Sequence, residues 1–322
     1  KMNYSDLPFY EKYEVLVTLP HEKFKLFCMA DKETAGVCSG TSTPEILNAH
    51  GSNITERLYE QRIKNIFSSS FLRYREEGIT WREFYNRLTK FYDNLGKSQN
   101  HAFYAKQLIR QGKLMELKIL NAITNILPNG VGIANMVASA SVTNKIAILE
   151  WLKSKGIVEN DIGSAISLGD YPLVKWYIDE GYTPEPLHIG WAVDHSNYAL
   201  LDLFASMNLL PDQWGANLAS SLQMINWLQQ HGAPLPDADS VFDNLRKGNI
   251  EVLEWLHTQG EKFNGTQTEY LLNTFYPLNV EKTIATLNWL KSKGILPIVG
   301  FYSSYIPTEI RDWLRANNVL KE

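Results

Sequence analysis

The stretch Asn244-Leu245-Arg246-Lys247-Gly248-Asn249-Ile250-Glu251-Val252-Leu253-Glu254-Trp255-Leu256-His257-Thr258-Gln259-Gly260 decides the fold. Ile250, Leu253, Leu256 and His257 stand at 0, +3, +6 and +7, and Val252 and Trp255 widen the same stripe. That spacing is the periodicity of an amphipathic helix buried along one side. Gly248-Asn249 interrupts the segment before the stripe, and Gly260 follows it. A glycine five residues after the aromatic suits a helix ending in a left-handed C-cap, which only Gly, and less often Asn, adopts cheaply. The segment reads as helix, tight turn, second helix and capping residue.

The second half of that phrase recurs. It stands as Trp151-Leu152 with Gly156, Trp227-Leu228 with Gly232, Trp255-Leu256 with Gly260, and Trp289-Leu290 with Gly294, and more weakly as Trp176-Tyr177 with Gly181. A weaker copy is Trp313-Leu314 with Asn318, and a Trp-less one is Leu203-Phe204 with Asn208. Small or turn-forming residues precede most anchors, as at Gly112-Lys113, Asn144-Lys145, Gly169-Asp170, Ser196-Asn197 and Ser220. A helix pair cannot bury its apolar face alone, so tandem copies predict an all-α solenoid over residues 103–322, with about seven to eight units. A tryptophan repeated at one helix position is expected to fill the interface with the next unit. Trp191 and Trp214 lie outside that position, in first-helix and loop-to-helix segments, and are free for another role.

The turn and second helix resemble the ankyrin signature G-[HN]-x-x-φ-V-x-x-L-L-x-x-G. The anchors are spaced by 24 to 34 residues, mostly below the usual period of about 33. Pro186-Leu187-His188 is similar to the Thr-Pro-Leu-His opening of that unit but falls two residues out of register with Ser196. The Trp-Leu-rich, short-looped variant resembles the divergent ankyrin arrays encoded by large DNA viruses of amoebae. That resemblance implies a protein-binding array whose first helices and loops touch the target. Trp191, Trp214, Tyr182, Asp212 and Phe263 are the expected contacts, with the loops Asp237–Asp239 and Phe263–Asn264 beside them. The long unit before Trp289, carrying Tyr270, Phe275, Tyr276 and Pro277, is expected to present an aromatic bulge.

Residues 1–45 do not share the repeat. Leu7-Pro8, then Val15-Leu16, Leu19, Phe24, Leu26, Cys28 and Val37-Cys38, resemble an F-box segment, although Phe9-Tyr10 replaces the Glu that commonly follows Leu-Pro. Residues 46–102 read as a helical connector, with Thr80 and Glu83 at capping-box spacing. The resemblance implies that Leu7, Pro8, Leu16, Leu19 and Phe24 dock on the small linker subunit of a cullin–RING (SCF-type) ubiquitin ligase. The alternative is a plain helical cap that shields the apolar end of the array.

Hydrophobic residues at 44% and charged residues at 20% describe a globular chain. A net charge of −4 and a pI near 6.0 argue against nucleic-acid binding. No apolar run is long enough for a membrane span, and Lys1-Met2-Asn3-Tyr4 lacks a signal-peptide core, so a cytoplasmic monomer is expected. Cys28 and Cys38 read as two buried free thiols rather than a disulfide framework. Nucleophile-elbow, Walker and zinc-protease motifs are absent, the seven histidines are scattered, and Gly130-Val131-Gly132 reads as a plain loop. No enzyme activity, cofactor or metal is expected.

Overall fold

The computed structural model describes residues 3–128, 132–263, 271–272, 279–295 and 306–319. Gly130, Val131, Asn264, Tyr270, Phe275, Tyr276 and Pro277 lie outside the described residues. Among those described, all regular structure is helical and no strand occurs. Contacts divide the chain into two compact units, residues 1–159 and 160–322.

The first unit contains α1 (Phe9–Thr18), α2 (His21–Cys28), α3 (Lys32–Ser39), α4 (Pro44–His50) and α5 (Ile54–Ile63). A π-helical turn at Lys64–Ser68 and a 3-10 turn at Ser69–Tyr74 lead to α6 (Trp81–Lys97). Then come α7 (His101–Arg110), α8 (Leu114–Thr124), α9 (Ile133–Val137) and α10 (Val142–Ser154). Helices α5 and α6 pack along each other, with α1 and α3 against α5. Leu16, Val37, Leu58, Ile63, Phe84, Leu88 and Phe91 form their shared core. The termini are capped as the residue types demand. Asp31 accepts from the Thr34 N–H at 2.9 Å to start α3, and Thr80 and Glu83 make the expected capping box on α6. The division read at 102/103 is crossed by a bidentate ion pair. Arg87 on α6 donates to Glu116 on α8 at 3.1 and 2.9 Å, and Phe91 stacks on Tyr104 of α7.

The reading of two free thiols is corrected. Cys28 and Cys38 form a disulfide, with their Cα atoms 5.8 Å apart. The three residues between α2 and α3 turn the chain back, so a position near the end of α3 meets the end of α2. Sequence spacing carries no trace of that turn.

The second unit comprises α11 (Ile162–Ser167), α12 (Tyr171–Asp179), α13 (Pro186–Asp194), α14 (Tyr198–Ser206), α15 (Gln213–Ala216) and α16 (Leu222–Gln230). It continues with α17 (Val241–Lys247), α18 (Ile250–Thr258), α19 (Val280–Ser292) and α20 (Thr308–Ala316). Helices α11 and α12, α13 and α14, and α17 and α18 pair as consecutive hairpins, while α11, α13 and α15 neighbour one another in chain order. Second helices begin on side-chain caps: Asp170 accepts from Leu173 N, Asn197 from Leu200 N and Ser221 from Met224 N, each at 3.2 Å. They end as the spacing predicts. At Gly181, φ is +90°, its N–H donates to Ile178 O, and Tyr182 N–H donates to Tyr177 O. The same pair of bonds closes the helices at Gly156, Gly232, Gly260 and Gly294, and at Asn208 and Asn318 with φ of +58°.

The anchor tryptophans tie one hairpin to the next. Trp227 Nε1 donates to Asp202 at 2.8 Å, Trp289 Nε1 to Glu254 at 2.7 Å, and Trp313 Nε1 to Asn288 at 2.8 Å. Each acceptor immediately precedes the anchor of an earlier copy, namely Leu203, Trp255 and Trp289. One helix register is thereby reproduced along the unit. Trp176, Trp227 and Trp289 are buried, whereas Trp151, Trp255 and Trp313 are half-buried.

Candidate functional site

In the second unit the first helices carry an outward row of rings seated on glycines. Pro186 starts α13, and the His188 Nδ1 accepts from the Glu185 N–H at 3.1 Å. Pro186-Leu187-His188 thus stands at the start of a first helix. His188 lies over Gly163 of α11, where an added Cβ would stand 2.6 Å from its Nε2. Trp214 on α15 lies likewise over Gly190 of α13, where an added Cβ would stand 2.6 Å from its Cζ3. Without a side chain at 163 or 190, each ring comes up close against the neighbouring helix.

This seating leaves apolar area outside. Trp214 is 47% exposed and Leu187 is 44% exposed. Trp191 is half-buried and tilts against His188 with ring centroids 5.2 Å apart. Leu187 and Trp191 ride on α13 and Trp214 on α15, two helices in direct contact. Ordered aromatic rings of this type supply much contact area at little entropic cost when a partner covers them.

The remaining expected contacts are partly spent inside the fold. Asp212 caps α15 by accepting from Gly215 N at 2.9 Å. Tyr182 meets Tyr177 edge-on at 5.6 Å, and Phe263 meets Trp289 edge-on at 5.3 Å. Asp237 exchanges two hydrogen bonds of 2.9 Å with Asn217, which pins its loop to the end of α15.

In the F-box-like segment, residues 1–45, two of the five expected docking residues need correcting. Leu16 and Phe24 are buried in the core, because the inner faces of α1 and α2 close on α5 and α6. A partner could reach them only by opening the unit. Leu7 and Leu19 are half-buried and Pro8 is exposed. The apolar residues that stand farthest out on these elements are Tyr10, Leu26 and Met29.

The residue that the sequence reading missed is Arg62, fully buried on α5. It donates to Leu16 O, to Leu19 O at 2.9 Å and to the Tyr85 hydroxyl at 2.6 Å, and its guanidinium lies 3.6 Å from the centre of the Phe24 ring. Pro20 explains the arrangement. The Leu16 carbonyl would normally accept from the N–H four residues on, and proline has none. Arg62 supplies the missing donor to the broken end of α1. Desolvation pushes the Arg62 pKa down, and the Tyr85 hydroxyl beside it opposes that shift. His21 Nδ1 bonds the same Tyr85 hydroxyl at 2.9 Å. Burial lowers the His21 pKa, as do the nearby positive charges of Lys25 and Arg62. One signal was available: Ile54, Leu58, Tyr59, Arg62 and Ile63 form a single helical stripe, so the arginine stands where an apolar residue is expected.

No protein-family profile matches this chain, and no curated protein matches it. Among the described residues, no group of three or more His, Cys, Asp or Glu side chains could hold a metal ion. No described helix is long and apolar enough to cross a membrane.

Proposed function

We propose that this chain is a non-enzymatic protein–protein adaptor. On this reading the repeat units are a short-looped, ankyrin-like solenoid that holds a target protein on its first-helix face, and the F-box-like head recruits a cullin–RING ubiquitin ligase. The observation that carries the target-binding half is the pair Trp214 and Leu187, large apolar side chains left nearly half exposed on helices that are otherwise tightly registered. The adaptor itself does no chemistry; it raises the local concentration of a target near a recruited enzyme.

A second reading keeps the target-binding array but makes the head a solenoid cap. It is favoured by the burial of Leu16 and Phe24, which are spent on holding α1 and α2 to α5. Calorimetric titration of the chain with a purified eukaryotic ligase linker subunit separates the two. Micromolar or tighter binding, lost in the Leu7→Ala/Pro8→Ala variant with its helicity intact, supports the adaptor. Absence of binding by the folded chain leaves the stand-alone binder.

A further inference from the structure

The first unit contains a groove whose cationic rim neither reading uses. It is about 630 Å³ in volume and runs between α2, α3, α5 and α6. Its charged rim is formed by Lys25, Lys32 and Arg82, with His21 at one end, and no carboxylate lines it. Its apolar floor is Phe24, Ala35 and the Cys28–Cys38 disulfide, with Met29 at its edge.

The cations are not consumed by the fold to the same degree. Arg82 is held in place by donating to the Ser39 carbonyl. Lys25 and Lys32, both exposed, make no ion pair among the described residues. Other basic residues of the head behave differently: Lys12, for example, is buried and bound to Asp31 at 3.0 Å. Two unpaired ammonium groups and a guanidinium around an apolar floor make a local positive region on a chain of net charge −4.

The shape selects among anionic ligands. The groove is open along its length, and its α2 shoulder ends in Met29, which is 72% exposed. A small anion would satisfy the lysines and leave that apolar shoulder wet. An extended peptide alternating acidic and apolar side chains would meet both.

We infer that this groove binds an acidic, extended peptide segment of a partner protein, its carboxylates on Lys25, Lys32 and Arg82 and its apolar side chains against Ala35, Met29 and the disulfide. This does not rest on the ligase-adaptor reading and uses a surface other than the row of rings on α13 and α15. The disulfide ties α2 to α3, so it also fixes the spacing of Lys25 from Lys32.

The test is fluorescence anisotropy with a labelled short peptide of alternating Glu and Leu, beside its Gln-Leu counterpart, on the full chain. The expected result is saturable binding of the Glu-Leu peptide that weakens with added NaCl and drops about tenfold or more in Lys25→Glu/Lys32→Glu. Lys90→Glu, an exposed change on α6 outside the groove, should bind like the unaltered chain. Both charge-reversed positions are exposed, and unchanged circular dichroism would show that the fold is kept. Equal binding of the Gln-Leu peptide, no binding at low salt, or indifference to the double reversal would each overturn the inference. Displacement of the peptide by inorganic phosphate at similar concentration would also overturn it, by making the groove a small-anion site.

Discussion

Arg62→Leu is the substitution with the most calculable consequence. It keeps an apolar side chain in the core but removes the donors to Leu16 O, Leu19 O and the Tyr85 hydroxyl. A buried acceptor left unsatisfied costs about 1–3 kcal/mol, with the carbonyl of Leu16 at the upper end because Pro20 can offer it nothing. Loss of the guanidinium over Phe24 adds about 0.5–2 kcal/mol. Relief from burying a charge offsets part of this, as replacement of buried ion networks by apolar residues has shown in other proteins. Here, however, two acceptors are backbone carbonyls that no substitution can remove. The net expectation is a loss of about 2–4 kcal/mol, which for a unit of this size corresponds to a fall of roughly 5–15 °C in Tm. Arg62→Lys should lie between, because a single ammonium cannot reproduce the planar fork. Urea unfolding by circular dichroism, with calorimetry to resolve the two units, measures both. A loss below about 1 kcal/mol for Arg62→Leu would refute the assignment of Arg62 as the donor that closes α1.

Reduction of the Cys28–Cys38 bond, which spans ten positions, should destabilise the first unit by about 2–3 kcal/mol through regained loop entropy, read as a lower urea midpoint in dithiothreitol. Asp202→Leu strands the Trp227 indole N–H and should cost about 1–2 kcal/mol, whereas Asp202→Asn, which keeps an acceptor, should cost less; both are read by urea denaturation. Gly190→Ala places a methyl against both Trp214 and the α15 backbone and should cost about 1–3 kcal/mol while shifting Trp214 fluorescence, compared by thermal melts and emission spectra. The lowered pKa of His21 means that the unfolded chain takes up its proton first as pH falls, so stability should decline below about pH 6.5. His21→Gln should flatten part of that decline in Tm measured from pH 7.5 to 5.5.

The helical hairpins were legible because their signals are local. A stripe at 3.6-residue spacing, a polar cap ahead of it and a Gly or Asn five residues after the aromatic are each short-range consequences of backbone geometry. Hence Gly156, Gly181, Gly232, Gly260 and Gly294 sit in the left-handed conformation the spacing asks for. Trp191 and Trp214 were separable from the anchors for the same reason, by position alone. Pro186-Leu187-His188, two residues out of register with Ser196, stands at the start of α13.

Sequence by itself thus determined the element type, the repeat and its caps, because those depend on residues within one or two helical turns. Tertiary structure alone decided which distant groups meet. It set Cys28 against Cys38, turned Leu16 and Phe24 inward, laid Trp214 on Gly190, and brought Arg62 to a carbonyl 46 residues away. Each of those outcomes depends on how helices cross, and a helix's own residues record the face it buries but not what lies on the other side.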